Sequence, residues 1–187
     1  MSVRTRTIIS IVIVLVIGLT YLGYALARHG FSAMEKPSRF EEFLARHARK
    51  IATPGNARQL KNPYSATPES LSAVREHWVE HCSFCHAFDG GGNTVIGQNL
   101  YPKIPDLRSS AVQALSDGEL FYIISNGVRF TGMPAWGGTD SPEQIWQFVS
   151  LIRKFPALTP AELEYLNQGS NEQSGAAREA EGPPHTH

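Results

Sequence analysis

"EHCSFCHAFDGG", residues 80–91, holds both cysteines of the 187-residue chain. Two residues separate Cys82 from Cys85, and His86 follows directly. Such a cluster serves a redox-active thiol pair, half of a zinc site, or an attachment point for a larger group. A structural zinc site needs about four ligands, yet there is no further cysteine, and no histidine pair at finger spacing follows the two. A dithiol oxidoreductase motif expects alternating strands and helices, and no strand pattern is visible. A disulfide closing so short a loop would stabilise little. Neither thiol reading gives His86 a role.

Cys-x-x-Cys-His reads directly as the attachment site of a c-type haem. Two thioether bonds tether the porphyrin, and the next residue turns its imidazole toward the iron. The reading demands a second ligand and a pocket. Met133, in "NGVRFTGMPAWGG" (126–138), is the one methionine beyond residue 34. It precedes Pro134 in a glycine-flanked loop, out of helical register, and packing against aromatics is its alternative role. Imidazole plus thioether raises the reduction potential and leaves no open position for a substrate.

Around this centre the chain reads as helices. Thr67-Pro68 opens a helix running into Cys82. Ser116-Asp117-Gly118-Glu119 is a capping box, and Gly127 stands where a helix-ending glycine belongs. Ser141-Pro142-Glu143-Gln144 opens "IWQFVSLIRKF", with Ile145, Phe148, Val149 and Ile152 on one face. Thr159-Pro160-Ala161-Glu162 opens a last short helix. Residues 87–115 read as loop, longer than a compact domain tolerates unless something organises them. A buried haem would do so, with Tyr101, Ile104, Leu107, Leu115, Phe121, Ile124, Phe130 and Trp136 as expected pocket lining. Arg108 and Arg129 are candidates to pair with the haem propionates.

Upstream, Thr7–Ala27 carries no charge, enough for a helix across a bilayer core. Arg4 and Arg6 before it place the N-terminus in the cytoplasm by the positive-inside rule. Ala25-Leu26-Ala27 keeps a cleaved signal peptide as the rival; both readings export the remainder of the chain. Phe40, Phe43, Leu44, His47, Ala48 and Ile51 share one face of a helix predicted over 38–51, capped by Ser38 with Glu41 at N3. Arg46, Arg49 and Lys50 lie opposite. The helix is either a spacer packed on its own domain or a helix in the membrane interface. The expected division is 1–6 cytoplasmic tail, 7–27 transmembrane anchor, 28–66 amphipathic helix and linker, 67–168 haem domain, and 169–187 disordered tail. His185 and His187, in that tail, are expected to be inert.

Charge divides the chain. Residues 28–63 hold eight Lys/Arg against three Asp/Glu, and residues 64–168 six against eleven. The acidic domain argues against nucleic acid, and favours a redox protein with a basic docking patch met in a weak, salt-sensitive encounter.

Residues about 67–156 resemble a monohaem class I cytochrome c. "CSFCH" matches the attachment motif, "GMPAW" the distal methionine loop, and "IWQFVSLIRKF" the C-terminal helix that crosses the N-terminal one. Trp78 falls on the aromatic position of the first helix, with Val74 and Leu151 at the crossing. Pro105-Asp106-Leu107 resembles the segment beside the proximal histidine. The resemblance implies an all-α cytochrome c fold holding one covalent haem c on Cys82 and Cys85, with His86 and Met133 as axial ligands. It implies that the Pro105 carbonyl accepts a hydrogen bond from His86 Nδ1. It also implies a one-electron carrier without a small-molecule substrate, serving respiratory proteins at the periplasmic face of a bacterial inner membrane, as a shuttle or as a subunit of a larger oxidoreductase. A haem-based ligand binder or peroxidase-like protein with a displaceable Met133 is the alternative.

Overall fold

Helix starts in this chain are written by side-chain caps, and the computed structural model, which describes residues 2–29, 32–65 and 67–168, follows them closely. Helix α1 spans Val3–His29. Helix α2 spans Arg39–Ala52, with the Ser38 hydroxyl accepting from Glu41 N–H and the Glu41 carboxylate accepting from Ser38 N–H. Helix α3 is Gly55–Gln59 and α4 is Pro68–His77, boxed by Thr67 and Ser70. A π-helical turn, Trp78–Cys82, joins α4 to α5, Ser83–His86. Then come α6 (Val95–Asn99), α7 (Ser110–Gln113), α8 (Asp117–Asn126) and α9 (Pro142–Lys154). Residues 160–168 form α10, opened by Thr159 and Glu162 in a reciprocal cap. There is no strand among the described residues.

The chain separates into two units, Met1–Glu35 and Lys36–His187. In the first, Val3–Arg28 is long and apolar enough to cross a membrane, with a mean hydropathy of 2.4. Length and composition of this kind also suit a signal sequence near an N-terminus.

In the second unit α4 packs on α9. Val74 and Leu151 are 1% and 0% exposed, so the crossing is closed by two aliphatic side chains. Ile145, Phe148, Val149 and Ile152 of α9 are buried as their spacing predicts, and Trp78, Phe155 and Leu166 complete the core. Trp78 and Phe155 meet with ring centroids 5.0 Å apart. Removing a buried aliphatic side chain from such a site costs about 2–5 kcal/mol.

Two stretches are more structured than their composition predicts. The linker expected within 28–66 is folded onto the domain over residues 55–64. Helix α3 packs on α8 so closely that a Cβ on Gly118 would lie 1.8 Å from the Ala57 carbonyl oxygen. Asn62 Nδ2 donates to Trp146 O (2.9 Å) and Ser150 Oγ (2.8 Å) on α9. The expected loop over 87–115 contains α6 and α7, each about one turn and too short to show periodicity. Thr94 starts α6 by accepting from Gly97 N–H at 2.8 Å. The tail, with His185 and His187, lies outside the described residues.

Candidate functional site

The helical run from α4 to α5 carries the cysteines. Ser83 N–H donates to Trp78 O, the i→i−5 bond of the π turn; such widened turns are rare and concentrate at functional sites. Helix α5 ends at His86, where Ala87 adopts φ 61°, ψ 167°. That region belongs to glycine and costs other residues roughly 1–3 kcal/mol. Gly92 N–H donates to His86 O at 2.8 Å, so the chain reverses as soon as the imidazole is set.

Met133 arrives from the other side of the sequence. The loop after α8 is stitched back onto the helix end by Trp136 N–H to Ile124 O (3.1 Å) and Gly137 N–H to Ser125 O (2.9 Å). Within it, Val128 N–H donates to Met133 O and Met133 N–H to Thr131 Oγ1, both at 3.1 Å. Met133 packs half-buried against the core.

These segments enclose a cavity of about 360 Å³, within the size range of cofactor sites. Trp78, Cys82 and His86 line it from the α4–α5 run, and Met133 and Trp136 from the loop after α8. Ile104, Pro105, Leu107, Leu115 and Ile124 line it too, with Phe148 and Ile152 of α9. Cys85 is half-buried and does not border it.

The electrostatics do not suit a redox-active dithiol. The cysteines are not bridged. Burial, with Asp140 and Cys85 adding to it, pushes the Cys82 thiol up to about 12, so it holds its proton and is a poor thiolate nucleophile. Burial pushes the His86 imidazole down to about 4, so the ring is neutral near pH 7 and keeps a lone pair for a metal. Trp78 Nε1 and His86 Nδ1 are buried without hydrogen-bond partners. An orphan of this kind costs about 1–3 kcal/mol and calls for an explanation such as an absent ligand. A cavity with an apolar wall, an imidazole and a thioether is a donor set that fits a haem.

Several expected site residues stand elsewhere. Pro105 and Leu107 line the cavity, but His86 Nδ1 has no acceptor, so its expected bond to the Pro105 carbonyl is not formed; the ring rests instead against Trp78, centroids 6.1 Å apart. Tyr101, Phe121 and Phe130 do not border the cavity. The Tyr101 hydroxyl donates to Glu41 Oε1 on α2 at 3.0 Å. Phe121 stacks on Trp146 at 4.3 Å. Phe130 has φ 62° and is 92% exposed, because that backbone turns its side chain outward. Arg108 is held by Asp89 and Asp106, and neither it nor Arg129 lines the cavity. Instead Arg46 and Arg49 of α2 do. The sequence signal for them is the cationic face of α2, at i, i+3 spacing.

Residues 69–152 match the family model of cytochrome c oxidase, cbb3-type, subunit III. They form a monohaem c-type cytochrome domain. A stretch of 94 residues is also 28% identical to the quinohemoprotein alcohol dehydrogenase ADH IIB of Pseudomonas putida, covering 50% of this chain and 12% of that protein. A domain of this family implies covalently bound haem c and electron transfer by a haem protein.

Proposed function

We propose that this chain is a membrane-tethered one-electron carrier with histidine–methionine ligation. The observation that carries the reading is the convergence of Cys82, His86 and Met133, drawn from segments 47 residues apart, on one apolar cavity. Cys82 and Cys85 would hold the porphyrin through thioethers. His86, kept neutral by burial, and the Met133 thioether would be the two axial ligands. The haem supplies the one-electron couple of its iron; the chain contributes fixed ligands, exclusion of water and a defined point of exit. Phe84 on α5 and Val95 and Ile96 on α6 are exposed, on two helices that pack together beside the attachment motif. They give a partner apolar contact there, and the acidic domain favours a basic patch around it.

The tether is α1. A single crossing with the N-terminus inside puts the cytochrome domain on the periplasmic side of a bacterial inner membrane, facing respiratory partners, as a shuttle or as a subunit of a larger oxidoreductase. Helix α2 supports residence at the membrane surface: none of its residues is buried, and Phe40, Phe43, Leu44 and Ile51 are exposed. It therefore does not use its apolar face to pack on the domain.

Absorption spectroscopy of protein purified from membranes tests the reading. Six-coordinate ferrous and ferric spectra, a long-wavelength ferric thioether-to-iron band and no CO binding are expected. CO binding to the reduced protein without that band would replace this reading by a ligand-binding haem protein. Recovery of the haem in the soluble fraction would remove the tether.

A further inference from the structure

We propose that Arg46 and Arg49 of α2 bind the haem propionates, so that a helix lying before the cytochrome domain completes its cofactor site. The inference rests on the haem reading of the cavity. Its starting point is an imbalance of charge. Arg46 and Arg49 line the cavity, and among the described residues no aspartate or glutamate does. The rest of the lining is dominated by apolar side chains and also holds the neutral His86. Two arginines at the edge of an apolar slot whose lining holds no carboxylate fit a ligand that is apolar in its body and carries two carboxylates at one end.

Arginine suits that end. Its planar fork pairs with a carboxylate through two parallel hydrogen bonds and cannot lose its charge. Arg46 Nη2 lies 3.1 Å from Glu42 Oε2, in a pair that is exposed on both sides and so worth little. Exchange of that contact for a propionate costs correspondingly little.

Helix α2 is also held in place at both ends. Glu41 near its start accepts the hydroxyl of Tyr101 at 3.0 Å, in the segment leading to Lys103, Ile104 and Pro105 on the cavity wall. At its other end Arg58 donates to Lys50 O and, at 2.9 Å, to Thr53 O. The apolar face of α2 points away, since Phe40, Phe43, Leu44 and Ile51 are exposed. Between those two ties Arg46 and Arg49 border the cavity. Arg108, the sequence's own candidate for this role, already faces two carboxylates.

The test uses the full-length, haem-loaded protein and the double variant R46Q/R49Q, with R39Q/K50Q as a control on the same helix away from the cavity. Covalent haem is measured first, by haem staining of the denatured protein. The ferric/ferrous equilibrium is then measured by redox titration, and the exchange of α2 amides by hydrogen–deuterium exchange. Loss of a positive charge near the iron favours the ferric state, by about fourfold per arginine for charges several ångström from the haem. Expected are retained covalent haem, a shift toward ferric in the double variant alone, and faster exchange over residues 39–52. Retained haem with the double variant indistinguishable from the control would overturn the propionate assignment and leave the haem reading standing. A wild-type protein without covalent haem would overturn both.

Discussion

Gly127 passes so close to Met133 that a Cβ at residue 127 would lie 2.7 Å from the Met133 carbonyl oxygen. Gly127 also has φ +65°, which other residues adopt at a cost of roughly 1–3 kcal/mol. The helix-ending glycine of α8 is thus the seat of the methionine loop. Gly127→Ala is expected to lower stability by about 2 kcal/mol or more and to push Met133 off its place. The readouts are a thermal melt and the ferric thioether-to-iron band. Gly138→Ala is the control, since a Cβ there meets nothing within 4 Å. Equal effects of the two substitutions would remove the seating role of Gly127.

Met133→Ala separates ligand from packing. As a half-buried side chain on the core, Met133 contributes up to about 2 kcal/mol by packing alone. As an axial ligand it would also hold the potential up. The expected variant keeps its covalent haem, has a lower reduction potential and binds CO when reduced. If spectrum and potential match the wild type, Met133 is a packing residue and the distal ligand lies elsewhere.

Much of this is legible in the sequence because it is local. Ser38, Thr67, Ser116, Ser141 and Thr159 each start a helix by bonding a backbone N–H three residues on, a signal contained in four letters. Cys82, Cys85 and His86 are adjacent in sequence, and Met133 stands out because it fits no helical face. The features that are not legible depend on distance. Arg108 is neutralised by Asp89, 19 residues away. The close packing of α3 on α8 depends on Gly118, far from α3 in sequence. Hydrophobicity places Phe130 inside; its positive φ, which turns it out, leaves no mark in composition. Arg46 and Arg49 are visible as a cationic face, but which surface that face meets is decided by Tyr101 and Arg58.

Ala87 offers a test in which the change should stabilise. Its φ of 61° and ψ of 167° suit glycine, and the strain is worth roughly 1–3 kcal/mol. Replacing alanine by glycine frees the unfolded chain at a cost of about 0.4–1 kcal/mol. The first effect exceeds the second, so Ala87→Gly should raise stability by about 1 kcal/mol in denaturant unfolding of the haem-loaded protein. A destabilised variant would mean that the turn after His86 is not strained.

His77 gives a dependence on pH. Its imidazole sits between α4 and the segment before α9, with Asp140 Oδ2 at 3.3 Å from Nε2. The two atoms are close without the alignment of a hydrogen bond. His81 and Glu80 face it from its own helical run, and the Trp136 and Phe148 rings pack on it. Burial lowers its pKa, and Asp140 opposes that shift only in part. The folded state therefore takes up the proton at lower pH than the unfolded chain, whose value is about 6.5. Its contribution to stability is complete above that pH and is lost as pH falls through the depressed folded value. Denaturant unfolding between roughly pH 7 and 5 should show stability falling with pH in the wild type. His77→Gln should fall less steeply. Asp140→Asn should fall further, because the carboxylate that favours the charged ring is gone. A His77→Gln slope equal to the wild type would assign the acid sensitivity to other groups.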